Sequence, residues 1–225
     1  MNVLLIGAHG QIGQIITEKM QHIEEFNLTA AYRKDDQMNE AQARGINVAK
    51  IDLERDMEHL EKVMEGMDAV IFAAGSGGST GADKTMMVDL DGAVKAIEAA
   101  RREHVKRFVM ISAMNANKRE VWSYGLESSG AANYYYAAKY YADNWLMNSD
   151  LDYTILRPSS LQNEAGTGKV EVAEYLETEG RNDLQIPRED VADVVIASLQ
   201  DENTINKEFD LNQGDESIKE ALARL

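Results

Sequence analysis

The sequence predicts an α/β fold in which helices cover both faces of a doubly wound parallel sheet. Residues 3–6 form a continuous apolar run, as expected of a strand that is buried on both sides. Apolar residues at helical spacing follow over 11–23, and strand and helix patterns go on alternating along the chain. Alternation of this kind favours parallel strands joined by right-handed crossovers.

The individual elements follow from the same patterns. Strands are expected at residues 3–6, 28–32, 46–49, 69–74, 107–112, 152–156 and 207–211. Helices are expected at about 11–23, 56–64, 82–103, 132–149, 188–200 and 215–224, with a loop and one or two short strands over 162–186. Because no linker, repeat or low-complexity tract interrupts this order, we expect a single domain over 1–225. Residues 158–187 are expected to form a small C-terminal lobe on the substrate side.

The charge balance excludes several classes of function. The chain has 39 Asp and Glu against 23 Lys and Arg, a net charge of −16, which disfavours binding to nucleic acid or to an anionic membrane surface. The absence of cysteine excludes disulfides, thiolate nucleophiles and cysteine-based metal sites. No apolar segment is long enough to span a membrane or to act as a signal peptide. We therefore expect a soluble, cytoplasmic protein.

A glycine-rich turn after the first predicted strand is the first sign of chemistry. Residues 7–13 read GAHGQIG, so that Gly7, Gly10 and Gly13 lie between a strand and a helix. In this context the first glycine permits a tight turn, the second lets a phosphate approach, and the third lets the helix pack on the strand. The helix N-terminus would bind a pyrophosphate. The intervening residues expected at the cofactor are His9, Gln11 and Ile12.

The end of the second predicted strand indicates which nucleotide is bound. NAD-binding proteins usually carry an acidic residue about 20 residues after the glycines. Here Arg33 lies 20 residues after Gly13 and is followed by Lys34, while Asp35 and Asp36 are expected to lie beyond the ribose. Two cations without a carboxylate favour the 2′-phosphate of NADP(H) over NAD(H). The alternative is a solvated Arg–Lys pair with no ligand.

Several motifs together resemble one protein family. They read VLLIGAHGQIG at 3–13, IDLERD at 51–56, VIFAAGSGG at 70–78, KRFVMISA at 106–113, YYAAKYYADNWL at 135–146, LDYTILRPSSL at 151–161 and IPREDVADVV at 186–195. In this order they resemble the atypical branch of the short-chain dehydrogenase/reductases, Rossmann-fold proteins that include biliverdin/flavin reductase-like enzymes and NmrA-like regulators.

The resemblance implies further cofactor contacts at positions after the predicted strands. It implies that Asp52 and Leu53 border the adenine ring. It also implies that the turn formed by Ala73, Ala74 and Gly75 passes close to the ribose. The residues implied at the nicotinamide end are Pro158, Ser159 and Ser160.

A tyrosine and a lysine on one helix are the candidate catalytic pair. Tyr135 and Lys139 are four residues apart, so both side chains emerge on the same face. The resemblance implies that Tyr135 is the general acid, that Lys139 assists it and binds the ribose, and that Ser112 polarises the substrate carbonyl. Ala113 departs from the Ser or Thr of many active relatives. Packing or a subunit contact is the alternative for the aromatic face of Tyr134, Ala138, Tyr141 and Trp145.

The remaining features yield a proposed activity and its rivals. No metal-binding motif, nucleophile elbow or Walker lysine is present, and Met114, Trp122 and Tyr124 suggest a flat or apolar substrate. We expect an NADP(H)-dependent reductase of a small carbonyl, quinone or conjugated substrate, acting as a monomer or homodimer. The main rival is an NADP(H)-sensing protein without turnover. A cofactor-recycling epimerase is a third possibility, but it would normally need a larger sugar-binding lobe than residues 158–225 supply.

Overall fold

A nine-stranded sheet forms the centre of the computed structural model, which describes residues 1–78, 80–124 and 133–225. Its strands are β1 (Asn2–Ile6), β2 (Asn27–Tyr32), β3 (Asn47–Lys50), β4 (Ala69–Phe72), β5 (Arg107–Ile111), β6 (Asp152–Pro158), β8 (Lys169–Ala173), β10 (Lys207–Gln213) and β11 (Glu216–Ser217). Their order across the sheet is β11-β8-β10-β6-β5-β4-β1-β2-β3. The short strands β7 (Ser160–Gln162) and β9 (Gln185–Pro187) pair in a separate parallel sheet.

The helices alternate with these strands along the chain. They are α1 (Gln11–Met20), α2 (Asp35–Ala43), α3 (Met57–Met64), α4 (Ala82–Lys84), α5 (Asp91–Arg102), α6 (Arg119–Tyr124), α7 (Asn133–Met147), α8 (Arg188–Gln200) and α9 (Ile218–Leu222). A π-helix, Thr85–Leu90, joins α4 to α5, and a 3₁₀ turn, Glu202–Thr204, precedes β10. No helix in the described part of the chain combines the length and apolar character needed to cross a membrane.

The sheet topology confirms the predicted doubly wound architecture. The run β10-β6-β5-β4-β1-β2-β3 is parallel, and only β8 and β11 at one edge pair antiparallel. Apolar side chains of α1 and α8 pack on one face, and those of α3, α5 and α7 on the other. The strand order reverses between β1 and β4, and ligands of such sheets bind beyond the carboxyl ends of the strands at this point.

The structure differs from the sequence-based expectations in several elements, one of which is the short helix α6, which the sequence did not predict. Helix α2 was not predicted, because only Ala41 of its residues is buried and the apolar periodicity is missing. The single helix expected over 82–103 is interrupted by the π-helix, which changes the direction of its side chains. The helix expected over 215–224 is replaced by β11 and the shorter α9.

Candidate cofactor groove and active site

The three glycines between β1 and α1 have different surroundings. Gly7 has a φ of +94°, and a Cβ there would lie 2.6 Å from the backbone nitrogen of Ala74. A Cβ on Gly13 would lie 2.9 Å from Ala8 Cα and closer still to the carbonyl oxygen of Gly7. A Cβ on Gly10 would meet only that oxygen, at 3.3 Å. Gly7 and Gly13 therefore permit close backbone packing, whereas Gly10 leaves space at the start of the helix.

The N-terminus of α1 is suited to an anion. No side chain that the structure describes caps it, and its first turn contains no acidic residue. Its first N–H groups have no acceptor within the helix and carry the positive end of the helix dipole. The residues present therefore fit a pyrophosphate at the position that the glycine pattern predicts.

A groove of about 510 Å³ lies over this turn and brings together most of the predicted cofactor residues. Those that line it are Gly7, His9, Gly10, Arg33, Lys34, Asp52, Leu53, Ala73, Ala74 and Gly75. Asp35 forms an ion pair with Lys50 at 2.5 Å, and Asp36 accepts a hydrogen bond from the backbone N–H of Gln37. Neither acid lines the groove.

Two further charged residues, which the sequence did not identify, line the groove near Arg33. Glu54 lies 3.7 Å from an Arg33 nitrogen through one carboxylate oxygen and 2.6 Å from Lys84 Nζ through the other. Lys84 comes from α4, and 30 residues separate it from Glu54, so no local pattern would have paired them.

Several predicted cofactor residues do not line the groove. The side chain of Ile12 packs in the core, and Gln11 lines a separate surface groove. The carbonyl of Pro158 accepts a hydrogen bond from Met114 N at 3.1 Å, and the Ser159 hydroxyl donates to Asn212 Oδ1 at 2.6 Å. Ser160 is an exposed residue of β7. The Pro158 carbonyl and the Ser159 hydroxyl are thus engaged by neighbouring protein groups, and the assignment of the three residues to the nicotinamide end stays a prediction.

Lys139 is buried beside Tyr135 and the end of β5. Its ammonium donates to the carbonyl of Ile111 at 3.3 Å and lies 5.8 Å from the ring centre of Tyr135. Burial alone would lower the pKa of Lys139. The pKa is nevertheless raised above its ordinary value, by Tyr135 in its ionised form and by the carboxylates of Asp89 and Asp143. Lys139 is therefore a cation at neutral pH.

Asp89 in the π-helix connects this lysine to the cofactor groove. It is 1% exposed; one carboxylate oxygen lies 3.4 Å from Lys139 Nζ, and the other accepts from Ser76 N at 2.9 Å. Ser76 follows the 73–75 turn and itself lines the groove. The structure thus joins the groove and the Tyr135–Lys139 pair through one buried carboxylate.

The hydroxyl of Ser112 is directed at a buried ion pair. It donates to Asp143 Oδ2 at 2.9 Å, and the same oxygen accepts from Arg157 Nε at 3.1 Å. Arg157 also pairs with Glu208. Burial raises the pKa of Asp143 to about 6, against the opposing effects of Arg157 and Ser112. Because the Ser112 hydroxyl donates its hydrogen bond to Asp143, it can act toward a substrate only as an acceptor.

The aromatic residues of α7 divide between surface and packing. Tyr134, Tyr141 and Trp145 are 38%, 47% and 49% exposed, whereas Ala138 is buried. Arg119 lies within 6 Å of three ring centres, those of Trp122, Tyr140 and Tyr141.

The expected substrate-pocket wall is described only in part. Met114 and Trp122 are buried, and the indole nitrogen of Trp122 donates to Ala116 O at 2.8 Å. The side chain of Tyr124 and residues 125–132 lie outside the described part of the chain. Among the residues that are described, no group of three or more acidic residues and histidines could hold a metal ion.

Comparisons with known proteins identify relatives over the full length. Residues 7–202 match a family model described as NAD(P)H-binding. The chain is 48% identical over its full length to the complete uncharacterized sugar epimerase YhfK of Bacillus subtilis. A solved structure from Bacillus halodurans, described as an NAD-dependent epimerase/dehydratase, is 36% identical with a TM-score of 0.87 and full coverage of both chains. The oxidoreductase ylbE of Lactococcus lactis is 29% identical with a TM-score of 0.83, covering 100% of this chain and 96% of its own.

Proposed function

The chain belongs to the NAD(P)H-binding family, and we propose that it is an NADP(H)-dependent reductase of a small carbonyl, quinone or conjugated substrate. The observation that carries the proposal is the Tyr135–Lys139 pair, which Asp89 links to the lining of the groove. The motifs that resemble atypical short-chain dehydrogenase/reductases agree with this family. The names of the relatives, both epimerase and oxidoreductase, support an enzyme that uses a nicotinamide nucleotide.

Different residues of the groove would contact different parts of the cofactor. The turn from Gly7 to Gly13 and the uncapped start of α1 would hold the pyrophosphate, because backbone N–H groups donate to an anion without a basic side chain. Asp52 and Leu53 would border the adenine, and Arg33 would face the 2′-phosphate. When bound, the cofactor supplies the hydride that a reduction needs.

Tyr135 and Lys139 would supply the proton. A free phenol has a pKa of about 10, so a neighbouring cation is needed for efficient proton transfer near neutral pH. Lys139 remains charged and is held by Asp89 and the carbonyl of Ile111. Tyr135 would then donate its proton to the substrate oxygen. Ser112 can assist as a donor only when its hydroxyl turns away from Asp143 or when that carboxyl is protonated.

Replacing Tyr135 with Phe tests this role. We expect NADPH oxidation with a panel of quinones, aldehydes and flavins to fall by roughly a hundredfold or more, since the acid is lost. The NADPH dissociation constant should stay within about twofold, because the fold and the groove are retained. Tyr141→Phe is the matched control, because this tyrosine is exposed on the same helix. Unchanged turnover in Tyr135→Phe would reject the role of the tyrosine.

The same assay separates the two rivals. A cofactor-sensing protein would bind NADPH tightly and oxidise none of it with any member of the panel. An epimerase would recycle the nucleotide and likewise give no net oxidation, but would interconvert stereoisomers of a sugar derivative. Net, substrate-dependent oxidation of NADPH supports the reductase against both.

A further inference from the structure

Besides Arg33 and Lys34, a further cation reaches the adenine end of the groove from α4, a helix that the proposed function does not use. The segment after β4 is rich in glycine and hydroxyl residues, reading GSGG at 75–78 and TGADKT at 80–85. It supplies Thr80 and Lys84 to the lining of the groove. The Lys84 side chain is 43% exposed, and its ammonium is bound by Glu54.

Glu54 engages this lysine and Arg33 at the same time. One of its carboxylate oxygens lies 2.6 Å from Lys84 Nζ, and the other lies 3.7 Å from an Arg33 nitrogen. Its backbone N–H donates to Asp52 Oδ1 at 3.1 Å, which anchors the residue beside the position proposed for the adenine. Glu54 is therefore a fixed anion between two cations in the same groove.

A 2′-phosphate would compete with this carboxylate. A phosphate monoester carries a charge of about −1.5 to −2 at neutral pH and three strong acceptor oxygens, so it pairs better than a carboxylate with two separated cations. Glu54 opposes it in two ways, since its carboxylate accepts the hydrogen bond of Lys84 and repels the approaching negative charge. A nucleotide with a free 2′-hydroxyl meets much less of this competition.

We propose that Lys84 is a further cation for the 2′-phosphate, opposite Arg33 across Glu54, and that Glu54 sets how strongly the groove discriminates NADP(H) from NAD(H). The inference rests on the proposed binding of NADP(H) and concerns its specificity. In the free protein Glu54 holds Lys84 and Arg33 near each other. On binding, the phosphate displaces the carboxylate from both cations, and part of the affinity gained from them is lost in breaking these pairs.

Binding of 2′,5′-ADP and of 5′-AMP, measured by calorimetry, tests the proposal without any turnover. The two nucleotides differ only in the 2′-phosphate. Lys84→Met should weaken binding of 2′,5′-ADP by about tenfold, as expected for loss of one charge-assisted contact, and change that of 5′-AMP by less than about twofold. Glu54→Gln should tighten binding of 2′,5′-ADP severalfold and leave 5′-AMP unaffected. Lys62→Met is the control, because Lys62 pairs with Glu58 at 3.0 Å on α3 and does not line the groove.

The outcomes separate this inference from the proposed function. If the unmodified protein does not prefer 2′,5′-ADP to 5′-AMP, the preference for NADP(H) fails together with the inference. If it does prefer 2′,5′-ADP but neither Lys84→Met nor Glu54→Gln changes the ratio, only the inference fails. Equal losses for both nucleotides in Lys84→Met would make the lysine a structural support. Because Gln has nearly the same shape as Glu, we expect Glu54→Gln to fold normally, and thermal unfolding of this variant checks that it does.

Discussion

Replacing Gly13 with Ala should destabilise the protein through the turn that shapes the groove. The added Cβ would lie 2.9 Å from Ala8 Cα and closer still to the Gly7 carbonyl oxygen, whereas nonbonded carbons prefer about 3.5–4.0 Å, so the turn must move by roughly 1 Å. Gly7 cannot yield easily, because it packs closely against the backbone of Ala74. Overpacking of this kind costs about 1–3 kcal/mol. A loss of 2 kcal/mol corresponds to a fall of roughly 4–8 °C in the melting temperature of a chain of this size.

Gly10→Ala is the informative partner of this variant. Its Cβ would meet only the Gly7 carbonyl oxygen, at 3.3 Å, and its φ of −65° suits any residue. Stability should therefore fall by about 0.5–1 kcal/mol, less than in Gly13→Ala, because Gly10 is the N-cap of α1 and alanine is a poorer N-cap. NADPH affinity should fall by about tenfold or more, because the methyl group occupies space proposed for the pyrophosphate.

Thermal unfolding and fluorescence titration with NADPH, applied to both variants, check these expectations. Gly78→Ala is the control, since the Cβ added at Gly78 would have open space within 4 Å among the non-neighbouring residues that the structure describes. A Gly13→Ala variant with the same melting temperature as the unmodified protein would refute the packing argument. Normal NADPH binding by Gly10→Ala would refute the assignment of the pyrophosphate to this turn.

Two further predictions concern buried carboxylates. Asp190 accepts from the backbone N–H groups of Thr167 and Gly168 at 2.8–3.0 Å, so Asp190→Asn should lower the free energy of unfolding by about 1–3 kcal/mol and speed hydrogen exchange at these amides. For Asp143, a pKa raised to about 6 means that the folded state binds more protons than the unfolded state between about pH 4 and 6. The unmodified protein should therefore lose stability relative to Asp143→Asn as the pH rises through this range. Denaturant unfolding at several pH values measures the difference, and a pH-independent difference would contradict the raised pKa.

The sequence predicted elements best where burial is one-sided or complete. Helix α8 was expected over 188–200 and occupies that range, because its apolar residues recur regularly between Pro187 and Asp201. The start of the chain was equally clear, since a fully apolar run can only be a buried element. Helix α2 gave no signal because its contacts with the core are few. The π-helix depends on hydrogen bonds that shift by one residue, and side-chain periodicity does not reveal such a shift.

In the candidate site, too, the sequence revealed relations within one helix but not contacts between elements. Tyr135 and Lys139 could be paired from sequence because four residues on a helix fix their relation. Asp143 continues the same series by another four residues, so a polar stripe on an otherwise apolar helix face was a signal available to identify it. Asp89 was not predictable, because its approach to Lys139 depends on the packing of the π-helix against α7.

The groove offers a small polyanion two kinds of contact that do not depend on the net charge of −16, neutral N–H groups and a few local cations. The proposed pyrophosphate contacts are neutral N–H groups of α1, which are fixed by the turn and do not depend on the net charge of the protein. The cations Arg33 and Lys84 are partly exposed and share one carboxylate, so their contribution is modest and is screened by salt. Anchoring and discrimination are thus separate physical effects. The backbone would hold any dinucleotide of this type, and the balance of Glu54 against its two cations would decide which one is preferred.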